Sequence, residues 1–170
     1  MSNYSPSTIA KTGELNPKCG LVCRSAVTAN TSVFTTTATN IYKVTGRIRI
    51  VSLDVEAITQ FGAQASVPRW QILGVTPVVA LFDISAASST LSALAAGKRV
   101  TMAGTALNTA QVIDGVAGIT VKPANLMDVG WDGGVCYLAL DSDVAQTSGT
   151  CLFTLCYLPQ SDGAAAEALF

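Results

Sequence analysis

Thr45-Gly46-Arg47-Ile48-Arg49-Ile50-Val51-Ser52-Leu53-Asp54-Val55-Glu56-Ala57-Ile58-Thr59 alternates between apolar and polar side chains, and it does so in two phases. Ile48 and Ile50 first alternate with Arg47 and Arg49. The phase then slips by one, and Val51, Leu53, Val55 and Ala57 become the apolar set against Ser52, Asp54 and Glu56. Apolar positions recurring at two, and not at three and four, specify a strand. A period-2 pattern that slips once inside a long strand marks a β-bulge, or a strand crossing from one sheet to another. Asp54 and Glu56 lie two apart beside Ser52, the spacing of a solvated strand face rather than of a glycosidase carboxylate pair.

The neighbouring segments read the same way. Upstream, Val33 to Thr37 and Ile41 to Val44 are β-branched and aromatic, with Ala38-Thr39-Asn40 as a turn between them. Downstream, Trp70 to Leu73 and Val75 to Ile84 are strand candidates, with Pro77 at a strand start, an edge or a bulge. Ser85 to Gly97 is Ala/Ser-rich with Leu91 and Leu94 at helical spacing, giving a short helix or a loose loop. Val100 to Ala103, Gln111 to Ile113 and Ile119 to Val121 are short strands between glycines. Trp131-Asp132-Gly133-Gly134 is a turn leading into Val135 to Leu140, then a polar tip at Asp141 to Gly149. The last strand, Thr150 to Leu158, stops at Pro159.

Eight to ten short strands with almost no helix predict an all-β fold, an antiparallel β-sandwich or jelly-roll-like barrel with an irregular N-terminal arm. The expected organisation is an arm over residues 1–30, a sandwich or jelly-roll domain over 31–159, and a C-terminal tail over 160–170. The arm is polar, punctuated by Pro6, Gly13, Pro17 and Gly20, and shows no sustained period.

Composition bounds the chemistry. The chain of 170 residues has no histidine and only 12% charged residues, about half the ~25% of an ordinary domain. The commonest general base and metal ligand is therefore missing, and no Ser-His-Asp or Cys-His arrangement can form. Apolar residues make up 49% and mean hydropathy is +0.44, yet apolar runs such as Val78 to Phe82 fall far short of the ~20 residues of a membrane span. No basic region followed by an apolar block opens the chain, so no signal peptide is expected. A hydrophobic chain without a span predicts apolar surface covered by further copies of itself.

Ten basic and eleven acidic residues, net −1, are scattered. Arg47 with Arg49 and Lys98 with Arg99 are the densest basic groups, too small for a nucleic-acid stripe. Ala96-Gly97-Lys98-Arg99 lacks the glycine and hydroxyl of a phosphate loop. Cys19, Cys23, Cys136, Cys151 and Cys156 make an odd count without metal spacing, which predicts reduced thiols acting mostly as small hydrophobes. Asp128, Asp132, Asp141 and Asp143 bracket a hairpin and read as turn residues rather than calcium ligands. Trp70, Trp131, Tyr137 and Tyr157 sit in or beside apolar strands, as core or interface residues rather than a sugar platform. The expectation is a protein that is not an enzyme and needs no cofactor.

Three segments carry a family likeness: Ile41-Tyr42-Lys43-Val44-Thr45-Gly46-Arg47-Ile48-Arg49-Ile50, Val100 to Leu107, and the closing strand Thr150 to Pro159. Over residues 33–158 the chain resembles small β-rich structural proteins of tailed-bacteriophage virions. The resemblance implies a capsid decoration (cement) protein, typically a homotrimer on the outer capsid surface, assembled in the host cytoplasm. Its partners would be its own copies and the major capsid protein of the phage shell, with no nucleic acid or membrane. The candidate binding residues are Trp131 and, on the arm, Tyr4 and Ile9. Two alternatives stay open: a head- or tail-fibre adhesin binding surface glycans through Trp131 and the 141–149 loop, and a coat protein that forms the shell.

Overall fold

The computed structural model describes residues 23–85, 88, 90–101, 112–113 and 127–170. Nine strands occur among them: β1 Cys23–Asn30, β2 Thr39–Ala57, β3 Pro68–Thr76, β4 Val78–Asp83, β5 Arg99–Thr101, β6 Val112–Ile113, β7 Met127–Ser142, β8 Thr150–Pro159 and β9 Ala165–Ala168. Every pairing is antiparallel, and the main path runs β1-β8-β2-β7-β3-β4. The all-β antiparallel class expected from the alternation is the fold observed.

β2 is the spine. One of its edges carries β7 along Thr39–Ile50 and then β5 along Asp54–Glu56. The other carries β9 along Tyr42–Thr45 and then β8 along Ile48–Ala57. The phase slip read from the sequence is a bulge: the ladder with β8 steps from Ile50 to Ser52, leaving Val51 out of register. The buried set changes there from Val44, Ile48 and Ile50 to Leu53, Val55 and Ala57, because one extra residue swaps the faces of a period-2 strand. β8 has no such break, and its residues from Cys151 to Pro159 alternate between buried and half-buried throughout.

A second irregularity sits at Gly46. The β2–β7 ladder jumps from Thr45 opposite Val135 to Arg47 opposite Gly130, so Trp131–Gly134 form an excursion within β7 rather than the turn expected between two strands. Gly46 and Gly130 have φ of +71° and +86°. A Cβ on Gly130 would lie 2.2 Å from the carbonyl oxygen of Gly46. Only glycine supplies both the left-handed backbone and the close approach.

The sheet coils over its own face. β3 and β8 are separated by β2 and β7, about 14 Å in a flat sheet, yet the Trp70 and Phe153 rings meet edge to face with centroids 6.0 Å apart. Phe34 stacks on Phe153 at 6.1 Å and meets Phe61 edge-on at 5.5 Å. Trp70, Phe34 and Phe153 are wholly buried. This aromatic cluster joins the two layers of a sandwich-like core that also holds Ile41, Tyr42, Leu138 and Leu140.

Several expectations change. Residues 23–30, placed in the irregular arm, form β1 and pair with β8 along their whole length, because Val27 and Ala29 alternate into the core. Val33 to Thr37 is not a strand; Thr31–Val33 is a single 3-10 turn that drops Phe34 into the core. Ile41–Val44 and Thr45–Ala57 are one strand, since Gly46 bends the backbone without ending the ladder. Residues 90–97 are turns rather than a helix, and they bury Leu91 and Leu94 all the same. The C-terminal tail is pinned to the sheet through β9. The strand expected at Ile119 to Val121 lies outside the described residues.

Candidate interaction surface

The β3–β4 hairpin ends at Val75, Thr76, Pro77 and Val78, with Val75 opposite Val78. Val75, Val78 and Leu81 are 40%, 89% and 42% exposed, three of the seven exposed large hydrophobic residues among the described residues. Their neighbours Trp70 and Ile72 on β3 are buried, so the hairpin is anchored at its base and apolar at its tip. Pro77 immediately precedes β4, where its missing N–H costs no ladder bond.

Trp131, the aromatic candidate from the sequence, adjoins this tip. A Cβ placed on Gly134 would touch both the Thr76 carbonyl oxygen, at 2.3 Å, and the Trp131 Cβ, at 3.0 Å. The excursion of β7 thus brings Trp131 to the hairpin corner, half-buried against the core cluster. Tyr4 and Ile9 lie outside the described residues. Trp70 and Tyr157 are core residues at 0% and 5% exposure, so they supply no sugar platform.

The hairpin base is polar. Arg69 donates from Nε and Nη2 to Asp141 Oδ2, at 2.9 and 2.6 Å, and its Nη1 lies 3.5 Å from Asp83 Oδ2. Gln71 Nε2 donates to Asp83 Oδ1 at 2.6 Å. Asp143 accepts from the Val67 amide at 2.7 Å. The Arg69 guanidinium is held above its ordinary pKa, chiefly by the Asp141 hydrogen bonds, with Asp83 and Asp143 adding to the field. One cation therefore faces three carboxylates, and a negative excess remains at this end of β4.

The acidic residues weighed as calcium ligands go to separate partners. Asp128 receives a bidentate pair from Arg49, at 2.6 and 2.9 Å, which holds its carboxyl below the usual range. Asp132 lies 3.6 Å from Arg47, while Asp141 and Asp143 take the roles above. Among the described residues no group of three or more His, Cys, Asp or Glu side chains is placed to hold a metal ion. The basic pairs of the sequence are likewise divided, Arg47 and Arg49 between two aspartates and Arg99 on Glu56 at 2.6 Å. These exposed pairs order the surface and add little stability.

Asp54 corrects the sequence reading. It does not stand on a solvated face but is 7% exposed, between β5 and β8. Burial raises its carboxyl above the usual range, while the Thr101 and Ser52 hydroxyls and Arg99 pull the other way. A shallow groove of about 340 Å³ runs past Thr28, Asn30, Ser32, Val33 and Phe170 and has no ionisable side chain in its lining.

No family model matches this chain, and no curated protein or solved structure matches it. The apolar hairpin had one sequence signal, the run Val78 to Phe82. In the sequence that run reads as a strand with Pro77 at its start, an edge or a bulge, and the ladder decides among these: β4 pairs only β3 among the described residues.

Proposed function

We propose that this chain is a self-associating structural protein of a phage virion, a capsid decoration (cement) protein working as a homotrimer. The observation that carries the reading is the apolar tip of the β3–β4 hairpin, with Val78 89% exposed on a rigid, internally cored sheet. Contiguous exposed apolar surface marks an interaction site on a folded domain. The coiled sheet holds that surface in one geometry, so binding costs little ordering. Decoration acts by linkage: a protein that binds only the assembled shell stabilises it against disassembly. The likeness of residues 33–158 to tailed-phage virion proteins supports the same reading.

The test has two parts. Light scattering at several concentrations should give a trimer mass. Co-sedimentation with undecorated heads built from the cognate major capsid protein should then load the chain onto shells, and Val78→Asp should reduce that loading. Absence of the chain from the shell pellet at saturating concentration overturns the decoration role. Assembly of the chain alone into closed particles would make it the coat itself.

A further inference from the structure

The two ends of the main sheet path, β1 and β4, match each other. Among the described residues β1 pairs only β8, and β4 pairs only β3. The path holds six antiparallel strands, so β4 runs opposite to β1. A second copy in the same orientation can therefore set its β1 against β4 of the first and continue the antiparallel ladder without inversion.

Charge and face select one register. On β1, Val27 and Ala29 face the core, while Arg24, Ala26, Thr28 and Asn30 are exposed on the outer face. On β3, Trp70 and Ile72 face the core, and Gln71 stands opposite Asp83, which puts Asp83 and Leu81 on the outer face. Arg24 is the second residue of β1 and makes no ion pair with a carboxylate among the described residues. Asp83 closes β4 in the carboxylate-rich group around Arg69, and its side chain is 42% exposed. Antiparallel pairing with Asp83 opposite Arg24 sets Leu81 opposite Ala26 before the extra residue of β4 between Phe82 and Val79 shifts the register. Over Asp83–Leu81 outer residues therefore meet outer residues, and Arg24 meets a carboxylate of the group in which three aspartates share Arg69. β4 itself carries no Lys or Arg, so pairing it with the β4 of a second copy puts no further cation opposite this carboxylate-rich group.

We infer that copies of this chain associate head to tail, β4 of one against β1 of the next, with Asp83 paired to Arg24. The contact is heterologous, so repetition closes into a ring, as a trimer requires, or runs on as a filament. The edge of β4 left unpaired among the described residues is then covered, which is how a hydrophobic edge strand is kept from indiscriminate pairing. This inference rests on the self-association part of the proposed function and names its surface.

Charge reversal tests it on the full chain. Arg24→Glu and Asp83→Lys should each weaken self-association by roughly tenfold, since like charges then face each other. The double variant should restore the wild-type mass in sedimentation velocity. Both positions are at the surface, and circular dichroism checks that each variant keeps its strands. Independently, Ala26→Cys with Leu81→Cys should give oxidised, intermolecularly linked oligomers, whereas Leu81→Cys alone should not. Cross-linked dimers from Leu81→Cys alone whose disulfide maps, by peptide mass spectrometry, between the two introduced thiols and not to Cys23 or Cys156 would place β4 against β4 and overturn the inference. A double charge reversal that fails to restore the mass would also overturn it, as would a wild-type monomer at every concentration. Shell co-sedimentation is scored separately: a monomer that loads onto shells sinks the edge contact alone, and a charge-rescued oligomer that never loads sinks only the decoration role.

Discussion

The hydroxyl of Tyr42 donates to the carbonyl of Ser25 at 3.3 Å. Ser25 pairs with Leu155, which pairs with Leu53, and Leu53 lies about 36 Å from Tyr42 along a straight strand. The bond can form only because β2 bends back across the core, so it ties the first half of the spine strand to β1. Burial holds the Tyr42 phenol well above its ordinary pKa, which keeps it a donor throughout the working pH range.

Tyr42→Phe removes this tie while keeping the ring. A neutral hydrogen bond is worth about 1 kcal/mol, or a Tm decrease of roughly 2–4 °C for a chain of this size. Differential scanning calorimetry reads it, and an unchanged Tm would show that ring packing alone holds the bend.

Phe153 lies within 6.1 Å of both Phe34 and Trp70, measured between ring centroids. Phe153→Ala should cost about 3–5 kcal/mol, the range for a large core deletion. Urea unfolding measures it. Val78→Ser, at the exposed hairpin tip, should change stability by less than about 0.5 kcal/mol.

Gly130 and Gly133 both have positive φ, +86° and +69°, but differ in surroundings. A Cβ on Gly133 meets nothing within 4 Å, whereas one on Gly130 meets the Gly46 carbonyl oxygen at 2.2 Å. Gly133→Ala should cost about 1–2 kcal/mol from backbone conformation alone. Gly130→Ala should cost clearly more, because β2 and β7 must also separate, and paired urea titrations distinguish the two.

Asp54 has a carboxyl raised by burial. The folded state therefore holds its proton more tightly than the unfolded chain does. The stability contribution is most favourable below the ordinary Asp value and falls as pH rises through that value to the folded one. Asp54→Asn should raise Tm at pH 7, and the advantage should close as pH drops below about 4. A variant equally or less stable than wild type at pH 7 would mean that Asp54 works there as a charge.

Burial pushes the Cys136 and Cys151 thiols up to about 11 and about 12. At pH 8, iodoacetamide should label Cys156, half-buried on the outer face, well before either of them. Peptide mass spectrometry gives the order, and denaturant should abolish it.

Much of the fold was legible because β2 and β8 alternate cleanly. The slip after Ile50 marked the bulge at Val51, and Pro159 marked the end of β8. The hairpin corner was less legible. Trp131 was visible as an isolated aromatic beside two glycines, but its neighbour Thr76 is remote in sequence and comes to it only through the β3–β7 ladder. β1 was read as arm because its outer positions, Arg24, Ala26, Thr28 and Asn30, present no apolar face, and only Val27 and Ala29 betray the inner one.

By itself the sequence determined the all-β class, the strand periods, a phase slip in the spine strand that read as a bulge or a sheet crossing, and the lack of any histidine-based chemistry. Tertiary structure alone decided which alternating face is inside. Asp54 is buried and Val78 exposed, the reverse of what their polarity suggests, because burial depends on neighbours supplied by distant strands. β5 and β8 flank Asp54, whereas β4 pairs only with β3 among the described residues. Periodicity specifies that two faces differ; long-range pairing specifies what each one meets.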